Sequence, residues 1–421
     1  MTGKPYRLES NSISLGELPS QGISPSNIAT IGRCALQGAL ALSRQQPKLS
    51  FSIDAALGTA IHKFLEAANQ GFYDDVDLTS LEAELEKQVT AQAELVGRRW
   101  YEKGQLPLSR ARDSAVKKKH AVRLAKFQVD SHRKVGTSPQ RPVPGGVNSA
   151  TVGASGPVFE INDRVEVEKR LATEDGFLVG RADVFYWDDD GNPVIEDWKT
   201  GEVLDEEGAL KKDIEGQLML YGVMVYEATQ KVPILRVRAL RGEPFEVACT
   251  AEALIQHREN AESQFLEIKN LLSGLTPNQD PYLELARPGD SSTACRFCVY
   301  RPVCPGYLGQ LYKTLHEFGS WDCLGKILNL ETQGNGARLV TLKHPGLEEE
   351  HAVSFKKSSI DRHPALDEIM VGDTIGVFNV SFSWPRNVYE DRRSTLVYVY
   401  EYDPFGEWST TSDSVLTREE G

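Results

Sequence analysis

The spacing of the cysteines places the strongest constraint on the fold of this chain. Three of them stand together in C-R-F-C-V-Y-R-P-V-C, as Cys295, Cys298 and Cys304, while Cys34 lies far upstream. A C-x-x-C pair with a third cysteine after five residues can direct its thiolates at one metal centre. With Cys34 as the fourth ligand, that centre closes a loop of about 270 residues, which restricts the unfolded chain as a crosslink does.

Composition indicates a globular protein with room for more than one domain. The 421 residues are 40% hydrophobic and 25% charged, and no apolar run approaches the ~20 residues that a membrane span needs. The first thirty residues lack the pattern of a secretory signal, so we expect a cytoplasmic protein without membrane contact. Cytoplasmic cysteines are kept reduced, which favours metal ligands or buried thiols over disulfides.

Charge is distributed unevenly along the chain. The net charge is −13, yet residues 96–141, here called the basic block, hold thirteen Lys and Arg against three acidic residues. Residues 315–421 hold ten against eighteen. The basic block fits a track for a phosphate backbone, since neutralised phosphates release counterions. A solvated helix face followed by a loop explains it equally well.

The first third of the chain has helical patterning. A capped helix is predicted over 24–42, with Cys34 on its early turns. A second helix begins near Asp54, and its apolar positions leave His62 beside the apolar stripe. Residues 79–130 also read as helical, so we expect the N-terminal part of the chain to be largely α-helical.

Strand signals replace the helical pattern in the middle of the chain. A Gly, Pro and Ser-rich stretch at 134–157 predicts a surface loop, and strands follow over 158–197 with a hairpin turn at 188–192. This hairpin puts Asp183 and Asp197 on neighbouring strands. Helix, strand and helix are then predicted at 214–228, 233–239 and 251–272. The alternation predicts an α/β core with a mixed central sheet flanked by helices.

The C-terminal part has a different texture. Five strands are predicted in succession, at 326–331, 338–343, 351–356, 373–383 and 394–401. So many short strands favour a small all-β unit, resembling a barrel of the oligonucleotide- or oligosaccharide-binding type. We therefore divide the chain into residues 1–314 and an accessory domain at 315–421, whose acidic balance favours docking of a protein partner at least as much as DNA binding.

A D-W-K-T-G run carries the types of side chain that metal-dependent phosphodiester hydrolysis needs. Asp183 and Asp197 supply hard oxygen ligands, and Lys199 lies on the same strand face as Asp197 because side chains alternate along a strand. Trp198 points away and can offer its carbonyl, and His62 can complete the metal site. A D-x-K triplet alone is weak evidence, because Asp and Lys alternate on many solvated strands.

The order of motifs resembles that of the RecB-type nucleases of the PD-(D/E)xK superfamily, over about residues 24–310. Those nucleases carry a helix with His, then G-x-x-D, D-x-K-T-G on a strand, and a helix with Q-x-x-x-Y. The corresponding runs here are Gly58-Thr59-Ala60-Ile61-His62, Gly180-Arg181-Ala182-Asp183, Asp197-Trp198-Lys199-Thr200-Gly201 and Gln217-Leu218-Met219-Leu220-Tyr221.

The resemblance implies a role for each of these residues. His62, Asp183 and Asp197 would hold Mg²⁺ or Mn²⁺, and Lys199 would position or activate the attacking water. Gln217 and Tyr221 would approach DNA and the active-site lysine. Glu168 matches an additional carboxylate of the family, whereas Glu196 is expected on the opposite face of its strand. The fold implied is restriction-endonuclease-like, with residues 96–157 as a basic helical insertion followed by a flexible loop.

The cysteines extend the same resemblance. AddB-type and CRISPR-associated RecB-type nucleases have one cysteine before the His helix and C-x-x-C-x5-C after the core, and together these bind a [4Fe-4S] cluster. Cys34, Cys295, Cys298 and Cys304 fit that plan, which implies a structural cluster. Four thiolates also suit tetrahedral zinc, and this alternative stays open.

The function implied is that of a metal-dependent DNA nuclease. An exonuclease acting on single-stranded ends is favoured, in DNA repair, CRISPR adaptation or anti-phage defence. The alternative is a non-catalytic subunit that binds DNA ends as a scaffold in a larger nuclease-helicase complex. Retained polar motifs count against this alternative.

Overall fold

The computed structural model describes residues 6–8, 15, 17–45, 48–49, 52–98, 106–135, 165–240, 244–275, 281–286, 295, 298–313, 322–344, 350–383 and 386–404. The loop predicted at 134–157 lies outside these residues except for its first two positions. In the described part of the chain, no helix combines the length and the apolar character that crossing a membrane requires.

Nine α-helices occur among the described residues. They are α1 (Pro25–Arg33), α2 (Ala35–Leu42), α3 (Ile53–Asn69), α4 (Leu81–Gly97), α5 (Ser114–Val135), α6 (Lys212–Thr229), α7 (Ala251–Gly274), α8 (Pro281–Leu285) and α9 (Pro305–Lys313). Ser24, Ser52 and Thr250 cap α1, α3 and α7, since each side chain accepts a hydrogen bond from a backbone N–H of the first turn. Short 3₁₀ turns stand at Leu78–Ser80, Leu108–Arg110, Arg301–Val303, Lys357–Arg362 and Pro364–Asp367.

The strands form two sheets. They are β1 (Arg7–Leu8), β2 (Glu166–Ala172), β3 (Val179–Trp187), β4 (Pro193–Lys199), β5 (Ile234–Ala239), β6 (Phe245–Val247), β7 (Cys323–Thr332), β8 (Arg338–Lys343), β9 (Glu350–Phe355), β10 (Thr374–Phe378), β11 (Ser381–Ser383), β12 (Val388–Glu390) and β13 (Leu396–Tyr400). One sheet has the order β2-β3-β4-β5-β6, and the other has the order β1-β13-β10-β7-β8-β9-β12-β11.

The five-stranded sheet is mixed and has helices on both faces. β2, β3 and β4 are antiparallel, β5 is parallel to β4, and β6 is antiparallel to β5. Ile195 packs in a core with α1, α2, α6 and α7, whereas Trp198 packs in a second core with α3, α4 and α5. All of β4 except Lys199 is buried, so its two carboxylates, Glu196 and Asp197, lie inside the fold. The predicted α/β architecture is confirmed to this extent, and it is consistent with a restriction-endonuclease-like core.

The helix predicted over 24–42 is wrong in one respect, because the chain breaks at Cys34. This residue has an extended backbone (φ −161°, ψ 118°) between α1 and α2. The break lets α2 fold back on α1, and a Cβ on Gly38 would lie 2.9 Å from Cα of Ile31. Glycine therefore permits the close approach of two short helices where the pattern indicated one long helix.

The eight-stranded sheet contains all five strands predicted near the C-terminus, with one of them divided into β10 and β11. It also contains β12 and β1, which were not predicted. β1 lies parallel to β13, with Arg7 opposite Val399. The sheet thus takes one strand from the segment that the sequence division assigned to the nuclease domain. β1 and β11 are the edge strands among the described residues, and closure into a barrel stays a prediction.

Candidate functional site

Two carboxylates meet at the centre of the five-stranded sheet. β3 and β4 pair with Val184 opposite Glu196, so the next residues, Asp183 and Asp197, come together across the ladder. Asp197 is only 5% exposed. The Trp198 N–H donates a hydrogen bond of 2.6 Å to Oδ2 of Asp183. The predicted placement of the two aspartates on neighbouring strands is confirmed.

The electrostatics of this pair suit a divalent cation. Burial and, after it, the charge of Asp197 raise the pKa of Asp183 to about 7, against the opposing effect of the Trp198 N–H. Two buried carboxylates that repel each other form a hard oxygen donor set whose repulsion a bound cation would relieve. Among the described residues, no three His, Cys, Asp or Glu side chains converge closely enough to hold a metal ion.

Lys199 lies at the end of β4, on the same face as Asp197. Its Nζ is 2.6 Å from Oδ2 of Asp197 and donates a 3.1 Å hydrogen bond to Oε1 of Gln217 on α6. Gln217 also hydrogen-bonds the Tyr221 hydroxyl one turn later, and burial raises the pKa of Tyr221. The structure therefore joins Asp197, Lys199, Gln217 and Tyr221 in one chain of contacts.

His62 approaches the carboxylates from α3. Its Nδ1 is 3.8 Å from Oδ2 of Asp183. Burial lowers the pKa of His62, which favours the neutral imidazole that a metal requires of a histidine ligand. A hydrogen bond links the imidazole to the backbone of Trp198, whose indole packs with α3, α4 and α5 on the sheet face opposite Asp197 and Lys199. The backbone of Trp198 thus faces the site while its indole points away, as predicted.

Two glycines of the motifs allow the helices to come this close. A Cβ on Gly58 would lie 2.6 Å from Oγ1 of Thr200, at the end of the catalytic strand. A Cβ on Gly180 would lie 2.7 Å from Cε1 of Tyr221. Both distances are shorter than real Cβ atoms tolerate, so glycine is required for α3 and α6 to pack against the strands in this way.

A further pair of carboxylates borders the site. Glu168 on β2 has a left-handed backbone (φ 52°), a conformation that a non-glycine residue rarely adopts inside a strand. Burial raises the pKa of Glu168, and the charges of Glu66 and Asp183 raise it further. Sequence reasoning missed Glu66. Its position one helical turn after His62 is the signal that could have found it, because residues four apart share a helix face.

Glu196 lies on the opposite face of β4, as predicted. It receives hydrogen bonds from Nε of Arg238 at 2.6 Å and from the Tyr186 hydroxyl at 3.1 Å. These partners neutralise and hold a buried carboxylate that takes no part in the candidate active site.

The four cysteines of the predicted metal centre border the same core and lie near enough for their charges to act on one another, although no three of these described residues converge closely enough to hold a metal ion. Burial, with smaller contributions from the charges of Cys34 and Cys295, raises the pKa of Cys298 to about 12. Burial raises the pKa of Cys304 in the same way, and Cys298, Cys34 and Cys295 all contribute. The Tyr307 N–H donates to Sγ of Cys304 at 3.4 Å. Partly buried thiols with raised pKa values resist ionisation, and a bound cation would relieve that cost.

Arg301 lies between Cys298 and Cys304 and anchors the segment 295–304, here called the cysteine loop. The residue is 4% exposed, and its Nη1 donates to the carbonyl of Cys298 at 3.2 Å. Its Nε lies 2.6 Å from Oδ2 of Asp322, just before β7, and its Nη2 donates to Oδ1 of Asn379, just after β10. The Tyr307 hydroxyl donates to the same Asp322 oxygen at 2.7 Å. The eight-stranded sheet therefore holds the cysteine loop through a buried charge pair.

Comparison with known proteins agrees with the fold. The sequence profile of the PD-(D/E)XK nuclease superfamily matches residues 22–305, a range that runs from α1 past Cys304. The chain belongs to the PD-(D/E)XK nuclease superfamily. Members of this superfamily are generally metal-dependent hydrolases that act on DNA with Mg²⁺ or Mn²⁺.

Other comparisons add little to this assignment. The chain finds no match among curated proteins. One solved structure, titled "Crystal structure of SSO0001", is 15% identical and is aligned over 47% of this chain and 80% of that chain, with a TM-score of 0.23. A likeness at this TM-score carries no argument about this PD-(D/E)XK nuclease.

Proposed function

We propose that this PD-(D/E)XK protein is an exonuclease that uses Mg²⁺ or Mn²⁺ to shorten single-stranded DNA from its ends. The observation that carries the proposal is the contact of Lys199 with both Asp197 and Gln217, beside the paired carboxylate of Asp183 and the imidazole of His62. The preference for single-stranded ends comes from the resemblance to RecB-type nucleases.

Asp183 and Asp197 would hold the metal, with His62 and the carbonyl of Trp198 as further ligands. The bound cation would stabilise the negative charge that builds up on the phosphate and its leaving oxygen. Asp183 is kept in place by the Trp198 N–H, so the strand that supplies one carboxylate also positions the other.

Lys199 is the group placed to position the attacking water. Its ammonium lies between the Asp197 carboxylate and the Gln217 amide, which together hold Nζ at the edge of the carboxylate pair. A cation there also attracts the scissile phosphate. Gln217 accepts a hydrogen bond from Lys199 and contacts the Tyr221 hydroxyl, so α6 restrains the lysine in one rotamer.

The test compares the wild-type protein with Lys199→Ala on end-labelled single-stranded and double-stranded DNA, in Mg²⁺, Mn²⁺ or EDTA. Lys169→Ala is the matched control, because Lys169 stands on β2 and pairs with Glu166. We expect metal-dependent shortening by the wild type and the control, and none by Lys199→Ala. DNA binding without cleavage in every metal would refute the nuclease and favour the scaffold alternative.

Circular single-stranded DNA separates exonuclease from endonuclease. A circle of the same sequence offers the same phosphates and metal chemistry but no end. We expect the circle to remain intact under conditions that degrade its linear form completely. Linearisation of the circle at a comparable rate would contradict the exonuclease assignment while leaving the metal-dependent nuclease intact.

We infer that the four cysteines bind a [4Fe-4S] cluster with a structural role. Supporting observations are the mutual proximity of their thiols, the N–H donated to Cys304 and the buried Arg301 beside Cys298. Protein purified without oxygen should contain acid-labile sulfide, and Cys298→Ser should lack it. Zinc in place of sulfide would refute the cluster and identify a zinc site.

The biological setting rests on the resemblance alone. DNA repair, CRISPR adaptation and anti-phage defence are the settings in which we place this nuclease, with a protein partner on the eight-stranded sheet. Co-purification with a partner that is lost when Met370 and Val371 are replaced by serine would support this docking role, since both side chains are more than half exposed in the loop before β10. An unchanged complex would refute it.

A further inference from the structure

The outer face of α5 carries an unusual set of exposed side chains. Val116, Lys119, Arg123 and Phe127 follow one another at spacings of three and four residues, which places them on a single helix face. Phe127 is 72% exposed, the most exposed large hydrophobic side chain in the described part of the chain. The opposite face, which includes Ala121, Ala125 and Val129, is buried against α3. We call Lys119, Arg123 and Phe127 the α5 stripe.

The cations of the α5 stripe differ from their neighbours on the same helix. Lys117 is paired with Asp54 at 2.8 Å, and Lys118 is paired with Glu86. Lys119 and Arg123 form no ion pair with any described residue, and both are exposed. Part of the basic block is therefore neutralised within the fold, while the stripe keeps its charge for an external anion.

The beginning of α5 contacts two segments that carry candidate site residues elsewhere along the chain. Arg112, two residues before the helix, is 3.1 Å from Glu202, which follows the D-W-K-T-G strand end directly. Lys117 contacts Asp54 in the first turn of α3, the helix that carries His62. From Val116 to Phe127 the helix then extends about 16 Å away from this point, at 1.5 Å per residue.

We propose that the α5 stripe binds the single-stranded DNA that leads into the active site, with the Phe127 ring stacking on an unpaired base and with Lys119 and Arg123 on the phosphates. The proposal rests on the nuclease function proposed above and adds the binding track. An exposed aromatic ring beside two unpaired cations is the combination that single-strand-binding proteins use. A duplex keeps its bases stacked inside, so it offers Phe127 no ring to stack on.

Binding is measured by fluorescence anisotropy of a labelled twelve-nucleotide oligo-dT in EDTA, which prevents cleavage. We expect Phe127→Ala to weaken binding about tenfold, in line with the loss of one base–aromatic stack, and Phe127→Tyr to bind as the wild type does. Phe245→Ala is the matched control, since it removes another exposed aromatic side chain, on β6. It should leave the affinity unchanged.

An abasic strand of the same length isolates stacking from charge. This strand keeps its phosphates but has no bases, so wild type and Phe127→Ala should bind it equally. Lys119→Ala and Arg123→Ala should weaken binding to both strands and lower the salt slope by about 0.7 each. The ion-paired Lys118→Ala is their control for net charge, and it should change the slope less.

Three results would overturn the proposal. The first is that Phe127→Ala binds oligo-dT as tightly as Phe245→Ala does. The second is that Phe127→Ala loses as much affinity for the abasic strand as for oligo-dT. The third is that Phe127→Ala loses as much affinity for duplex DNA as for oligo-dT. Cleavage assays keep this proposal separate from the nuclease assignment. If the wild type cleaves DNA and Phe127→Ala binds DNA as the wild type does, only the role of the α5 stripe is refuted. If Phe127→Ala loses DNA binding but the wild type does not cleave, only the nuclease is refuted.

Discussion

The candidate active site and the cysteine site are assembled in different ways. Asp183, Asp197 and Lys199 lie on two adjacent strands, and strand register alone brings them together. The cysteine site joins Cys34 to a loop about 270 residues later, and a second sheet holds that loop through Arg301. A site defined by local register can keep its shape by itself, whereas a site defined by distant segments depends on whatever clamps them.

The candidate active site and the cysteine site also differ in how far their charges are balanced without a metal. The active site contains its own cation, Lys199, against two carboxylates, so it is partly compensated without a metal. The cysteine site offers four thiols whose pKa values are all raised by burial. We therefore expect metal removal to affect chemistry at the first site and the fold at the second.

The largest effect is expected from breaking the ion pair between Arg301 and Asp322, which holds the cysteine loop against the eight-stranded sheet. Arg301→Ala leaves Asp322 as an uncompensated buried charge and should lower the free energy of unfolding by about 3 to 5 kcal/mol. Urea denaturation measures this loss. The double variant Arg301→Met, Asp322→Leu removes both charges and should recover most of it. An equally unstable double variant would show that the charge pair is not what holds the loop.

The converse experiment removes chemistry without harming the fold. Asp183→Asn keeps an oxygen to accept the Trp198 N–H but removes one of two buried charges that repel each other. DNA cleavage in Mn²⁺ should fall about a thousandfold, which is about 4 kcal/mol of activation free energy. The melting temperature in EDTA should not fall. Asp213→Asn, exposed on α6, is the control, and a melting temperature that falls only in Asp183→Asn would contradict the distinction.

Acid should weaken the sheet that supports the cysteine loop. Burial and, to a smaller extent, the nearby charge of His351 lower the pKa of His344 to about 4. The unfolded chain binds this proton near pH 6.5, so stability is complete above pH 6.5 and is lost as the pH falls towards 4. The loss is at most about 3 kcal/mol, at about 1.4 kcal/mol per pH unit. His344→Leu should show a smaller difference between urea midpoints at pH 7 and pH 4.5, and an equal difference would assign the acid sensitivity elsewhere.

The smallest effect concerns the approach of α3 to the catalytic strand. Gly58→Ala places a Cβ 2.6 Å from Oγ1 of Thr200 and should cost about 1 to 3 kcal/mol, with His62 displaced from the carboxylates. Thr200→Ala removes that oxygen and should restore activity in the double variant. Acid-labile sulfide at the cysteine site should be unchanged in both. Failure of the second substitution to rescue cleavage would remove the steric explanation.

Prediction from sequence succeeded where geometry is local. The placement of Asp183, Asp197 and Lys199 follows from a hairpin and a period of two, whereas Gln217 and Tyr221 came from the resemblance to RecB-type nucleases. It failed where contacts decide the structure. Nothing in the helical pattern around Cys34 marks the break that Gly38 permits, and β1 is two residues long, too short for any alternation. Glu66 was missed because no motif includes it.

The pairing of β1 with β13 joins two segments that are synthesised at very different times. Arg7 is made nearly 400 residues before its partner Val399, which at roughly 5–20 residues per second is an interval on the order of tens of seconds. Within that interval, every proposed catalytic side chain, from His62 to Tyr221, is made before Asp322 and Asn379. A nascent chain can therefore arrange its active site before the cysteine loop acquires its clamp, so closing of the cysteine site is a late step of biogenesis.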